Sequence, residues 1–155
     1  MNDNFSNICR CISILDRLMK MYYNHGLSGF EIGWGQQFFV EYIYEHPGAS
    51  AQDMVKHILV DKATLTKTIK KLTEIGYVEI VADENDKRIK RVYLTEKAIP
   101  AAERIKVIHN GFYNTWSKYI SQTNIDISEQ TMEQMIENIN KKVWHRMESG
   151  NFEKY

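Results

Sequence analysis

The sequence is poor in residues that staple, kink or polarise a chain: it has two cysteines, two prolines and a formal net charge of zero over 155 residues. Cys9 and Cys11 stand too close together to build a disulfide framework, so a reducing compartment, the cytoplasm, is expected. No stretch reaches the roughly 18 uninterrupted apolar residues of a membrane span. The first ten residues are polar, with Asp3 among them, and do not read as an export signal. Missing too are His-Glu-x-x-His, Cys-x-x-Cys, a glycine-rich phosphate loop and a Gly-x-Ser-x-Gly elbow. His25, His46, His57, His109 and His145 are scattered, so no metal, cofactor or enzymatic activity is expected.

What is present fits one folded unit over 1–155: 43% of the residues are hydrophobic and 26% charged, enough for a core and a soluble surface. Charge is sorted along the chain rather than absent. Residues 1–55 hold three Lys/Arg against six Asp/Glu, 56–91 hold nine against six, and 92–155 hold eight against eight. Within the middle stretch, Lys62–Lys71 has four lysines and no acid, and Lys87–Arg91 has four basic residues and no acid.

Apolar spacing gives the elements. Ile8, Ile12, Leu15, Met19 and Tyr22 repeat in steps of three and four, predicting a helix from Asn7 to about Asn24. A loop over His25–Gly33 leads to a second helix, Trp34–Glu45, which Pro47-Gly48 stops. Ser50 and Asp53 form a capping box for a short helix through Leu59, with Met54, Val55, Ile58 and Leu59 inward. Asp61 caps the next helix, whose inner stripe is Leu65, Ile69, Leu72 and Ile75, and Gly76 ends it. Two β-rich segments, Tyr77–Val81 and Ile89–Leu94, enclose a polar tip. Thr95 caps a long helix over about Glu96–Ser121, kinked or delayed by Pro100. Ser128 opens the last, with Met132, Met135, Ile136, Ile139, Val143 and Met147 on one side. The fold class is mainly α with a small β-hairpin wing: a winged helix-turn-helix core over about 34–95, flanked by helices at about 5–24 and 96–148.

On the Asp61–Ile75 helix, Lys62, Thr64, Thr66, Lys67, Lys70 and Lys71 face outward, opposite the apolar stripe. A helix of this width fits the DNA major groove, and Lys87, Arg88 and Lys90 or Arg91 on the wing are placed to reach the neighbouring minor groove or backbone. Either basic cluster alone reads equally well as a solvated face; both together, on the two exposed parts of one motif, point to double-stranded DNA. A protein-interaction adaptor that kept the fold without binding DNA is the rival, and the acid-free Lys62–Lys71 face argues against it.

The block from Gln36 to Thr95 resembles the winged core of the MarR (multiple antibiotic resistance regulator) family of transcription factors. The resemblance rests on Pro47-Gly48-Ala49-Ser50, Ala63-Thr64-Leu65-Thr66-Lys67, Leu72-Thr73-Glu74-Ile75-Gly76-Tyr77-Val78, Asp86-Lys87-Arg88 and Val92-Tyr93-Leu94-Thr95. It implies Thr64, Thr66 and Lys67 as recognition residues, Asp86 as organiser of the wing and Arg88 as its reader. Ile80 stands where the family often has Arg, and Ala98 where it often has Gly.

The first and last helices carry apolar stripes that the small winged core cannot cover. The resemblance implies that they interlock into a homodimer reading a pseudo-palindromic operator, commonly as a repressor. It also implies a ligand cleft, with Tyr22, Tyr23, Trp34, Phe38, Phe39, Phe112 and Trp116 as candidates for a small aromatic effector. In the peroxide-sensing branch a cysteine near the start of the first helix is held by two tyrosines. Cys9 falls at that cysteine's place, Tyr23 at the first tyrosine and Trp34 at the second, so an oxidant is the alternative effector.

Overall fold

The computed structural model describes residues 3–149, with side-chain surroundings over 7–141, so Val143 and Met147 lie outside the described side chains. It divides into two compact units between Phe112 and Tyr113.

The first unit begins with helix α1 (Asp3–Gly26), two residues beyond the expected end. Arg104 Nε donates to the Gly26 carbonyl at 3.0 Å and satisfies an otherwise orphaned helix end. Helix α2 (Trp34–Glu45) keeps the bounds its apolar spacing predicts. Its start is held from two sides: Gly33 N donates to Gln36 Oε1 at 3.2 Å, and Trp34 N donates to Asn24 Oδ1 of α1 at 2.8 Å. Phe39, Val40 and Ile43 are buried on its inner face. They join Leu27, Met54, Leu72 and Ile105 in the core, where each such side chain contributes about 1.5–3 kcal/mol.

A two-residue strand, β1 (Ala49–Ser50), precedes helix α3 (Ala51–Ile58). Ser50 Oγ accepts from Asp53 N at 3.2 Å, and Ser50 N donates to Asp53 Oδ2 at 2.9 Å, so the expected capping box forms. Leu59, expected inward, is exposed: it takes a left-handed conformation (φ 56°) that ends α3 and turns its side chain out of the stripe.

Helix α4 (Lys62–Glu74) follows after a short connection. It closes with the left-handed Gly76 (φ 73°), where Tyr77 N donates to Leu72 O at 2.8 Å and Gly76 N to Thr73 O at 2.9 Å. Strands β2 (Val78–Ala82) and β3 (Lys90–Leu94) form an antiparallel hairpin, from Val78 opposite Leu94 to Ala82 opposite Lys90. β1 pairs on the far side of β3, Ala49 opposite Val92, giving the order β1-β3-β2.

A 3-10 turn at Glu96–Ala98 delays helix α5 (Ile99–Trp116), with Pro100 in its first turn where no backbone donor is needed. The helix stops five residues before the expected Ser121, and Tyr119 beyond it takes a left-handed conformation (φ 65°). In the second unit, α6 (Gln122–Ser149) starts at Ser121, whose Oγ accepts from Asn124 N at 3.3 Å. Ser128 is therefore not its cap: it lies inside the helix, its hydroxyl donating to Asn124 O at 2.7 Å. Among the described residues no helix is long and apolar enough to cross a membrane.

Candidate nucleic-acid interface

On α4, Leu65, Thr68 and Leu72 are buried, while Lys62, Thr64, Thr66, Lys67, Lys70 and Lys71 are all exposed. Asp61 fixes the first turn: Oδ1 accepts from Thr64 N at 2.7 Å, and Oδ2 accepts from the Thr64 hydroxyl at 2.8 Å. These bonds, the backbone one first, hold the Asp61 carboxyl below its ordinary range. The Thr66 hydroxyl donates to Lys62 O at 2.7 Å. Both threonines have thus spent their protons within the helix and show the outside a methyl group and acceptor lone pairs. Lys70 lies 3.9 Å from Glu74; Lys62, Lys67 and Lys71 form no ion pair among the described residues.

The wing tip is built by two aspartates rather than one. Asp83 Oδ1 accepts from Asn85 N at 2.9 Å and Asp86 N at 3.0 Å, and its Oδ2 accepts from Arg91 Nε at 2.8 Å. The Asp86 amide, the Arg91 guanidinium and the Asn85 amide, in that order, bring the Asp83 carboxyl down to about 2. Arg91 also reaches across β3 to the Gly48 carbonyl, Nη1 to O at 3.3 Å. It is an internal brace, half-buried, and not an outward contact. Asp86, the expected organiser, grips Arg88 with both oxygens, Nε at 3.0 Å and Nη2 at 3.1 Å, while the Arg88 side chain stays 91% exposed. Lys87 and Lys90 are exposed beside it.

One groove of about 530 Å³ runs between α4 and the sheet, and Thr66 and Lys70 of α4 border it together with Lys90 of β3. Three of the candidate contacts, from helix and wing, thus border a common and mainly apolar channel that Glu74 also lines. Ile80, in place of the family's frequent Arg, lines the same channel.

Residues 34–90 match the MarR family model. The chain is 32% identical over 92 residues to the HTH-type transcriptional regulator YybA of Bacillus subtilis (strain 168), covering 59% of this chain and 61% of that protein. A MarR transcriptional regulator from Methanosarcina mazei Go1 superposes with a TM-score of 0.74 at 29% identity, over 89% of this chain and 99% of that one. The matched segment, 34–90, is the part of the chain that carries the likeness to the MarR family. A MarR-family regulator from Listeria monocytogenes, solved with a 26mer DNA, shares the fold with a TM-score of 0.84 at 22% identity, over 95% and 97% of the two chains. The proteins this chain resembles over these spans are HTH-type and MarR transcriptional regulators.

The first unit also gathers most of the expected effector residues. Tyr23 is buried, with ring centroids 5.1 Å from Trp34, 5.7 Å from Phe112 and 5.3 Å from His109. Tyr22 lies 5.2 Å from Phe112, and Trp34 4.8 Å from Phe38. Burial, then the charge of Glu41 and Tyr22, pushes the Tyr23 hydroxyl up to about 12. Trp116 belongs to the second unit, where it meets Tyr113 at 5.3 Å. Cys9 and Cys11 are exposed on α1. Cys9 lies 14 residues before Tyr23 on one helix, about 20 Å along its axis, so a single chain does not bring thiol and phenol together.

Asp83 and Arg91 are the site residues that sequence reasoning missed as a pair. The bond joins positions eight apart across a hairpin, a separation that no local pattern marks. Among the described residues, no three His, Cys, Asp or Glu side chains group to hold a metal.

Proposed function

We propose that this chain is a homodimeric, cytoplasmic, non-enzymatic repressor that lays α4 in the major groove of a pseudo-palindromic operator and the wing against the adjacent groove. The observation that carries this reading is that Thr66 and Lys70 of α4 and Lys90 of β3 border one channel, which supports helix and wing acting together. Lys62, Lys67, Lys70, Lys87 and Lys90 serve phosphates, displacing condensed counterions. Thr64 and Thr66, showing methyl groups and acceptors, suit the thymine methyl and the exocyclic amines of adenine or cytosine. Arg88, splayed by Asp86, serves the minor groove. Exposed Ile8, Ile12, Leu15 and Leu18 on α1, and Ile127, Met132, Ile136 and Ile139 on α6, supply faces for a second copy. Two α4 helices then address half-sites about 34 Å apart.

Release follows from an effector at the Tyr22, Tyr23, Trp34, Phe38 and Phe112 cluster or from oxidation of Cys9. In the thiol route the ring partners come from the second copy, because the distance along α1 forbids pairing within one chain.

Duplex binding measured by gel shift across a salt series tests the reading. Affinity falls by roughly 10³ between about 50 and 200 mM salt, and Lys67→Ala and Arg88→Ala weaken it further. Binding that ignores salt, or none, favours an adaptor. Peroxide releases the wild type and spares Cys9→Ser if the thiol is the sensor; equal responses exclude Cys9 as the sensor.

A further inference from the structure

A second groove, of about 500 Å³, opens between α2 and the α3–α4 connection, and the described structure gives it a distinct chemistry. Phe38, Glu41 and Glu45 face it from α2, His57 and Ile58 from α3, and Thr64 from the first turn of α4. No Lys or Arg lines it. Its two formal charges are carboxylates, and Glu41 shares its own with His109 (Oε1 to Nδ1, 2.9 Å), leaving Glu45 the exposed one. The C-terminal ends of α2 and α3, each carrying partial negative charge, also meet there. Phe38 is 38% exposed, and an aromatic side chain open to solvent can rest against a cation. The volume falls within the range that holds a small organic molecule.

We infer that this groove binds an amphipathic organic cation, an aromatic or alkyl body bearing an ammonium group, and that its seating loosens the grip of α4 on DNA. The apolar body lies against Phe38 and Ile58, and the ammonium points at Glu45. Thr64 forms part of the wall and is also tied to the Asp61 cap, so a body wedged there displaces the first turn of α4 against α2. The second half of the inference rests on the duplex-binding role proposed for α4; the first half does not.

Calorimetric titration of the intact protein, without DNA, compares a naphthylmethyl-trimethylammonium ion with naphthalenesulfonate, similar bodies of opposite charge. The cation binds at least tenfold more tightly, and Glu45→Lys removes that preference. Glu74→Lys, in the other groove, leaves it in place. Equal binding of the two ions, binding of neither, or equal loss in both variants overturns the site. Duplex affinity is then read with and without the cation: a tenfold loss in the wild type and none in Glu45→Lys supports the coupling, and an unchanged affinity overturns it. A protein that fails to bind duplex DNA even without the cation refutes the duplex role alone, because the calorimetric result stands separately.

Discussion

Asp83 shows how one carboxylate can shape a loop. Its two oxygens hold two backbone amides and a guanidinium, and together they bring its titration down to about 2 from the ordinary 3.8. Because the folded value is depressed, the stabilisation is complete above the ordinary value. It fades as pH falls below 3.8 and is gone once pH passes about 2. A carboxyl-resolved NMR titration should find Asp83 still ionised at pH 3, where ordinary aspartates are mostly protonated. Asp83→Asn should speed amide exchange across 83–89 without altering helix content, and should weaken duplex binding several-fold. Gln37 is the opposite case. Its amide is fully buried, and neither its oxygen nor its nitrogen finds a hydrogen-bond partner among the described residues. Gln37→Leu removes a desolvated polar group at similar volume and should raise stability by about 1–2 kcal/mol, measured from the denaturant midpoint.

Among the elements, α4 depends most on its ends. Gly76 sits at φ 73°, and Gly76→Ala should cost about 1–2 kcal/mol, seen as a lowered denaturant midpoint with retained fold. The local signals were legible in advance wherever side-chain chemistry acts within one turn: Ser50 with Asp53, Asp61 before Lys62, and Gly76 after Glu74 all cap as their spacing predicts. The outward face of α4 was equally legible, because a period of 3.6 separates Leu65 and Leu72 from the lysines. Failures came where a partner lies far along the chain. Asn24 capping α2, Arg104 closing α1 and Arg91 tying the wing to Gly48 have no local pattern. Ser128 misled because a serine before an apolar stripe reads as a cap, whereas Ser121 had already supplied one.

At the scale of the whole molecule, the exposed stripes on α1 and α6 set the next expectation. Sedimentation at micromolar concentration should give a dimer, and Leu15→Glu combined with Ile136→Glu should give a monomer. Losing the second α4 should then reduce operator affinity by roughly 100-fold, although each winged core stays folded.

The brace from Arg91 to Asp83 and Gly48 bears on how such a molecule would select its sites. β1 leads directly into the Ser50 cap of α3, so a pull on the hairpin arrives at the helix pair within a few residues. The two grips proposed for a duplex would keep a fixed gauge, like caliper jaws set by a single screw. Operators would then be sorted by the elastic cost of conforming to that gauge as well as by the bases touched.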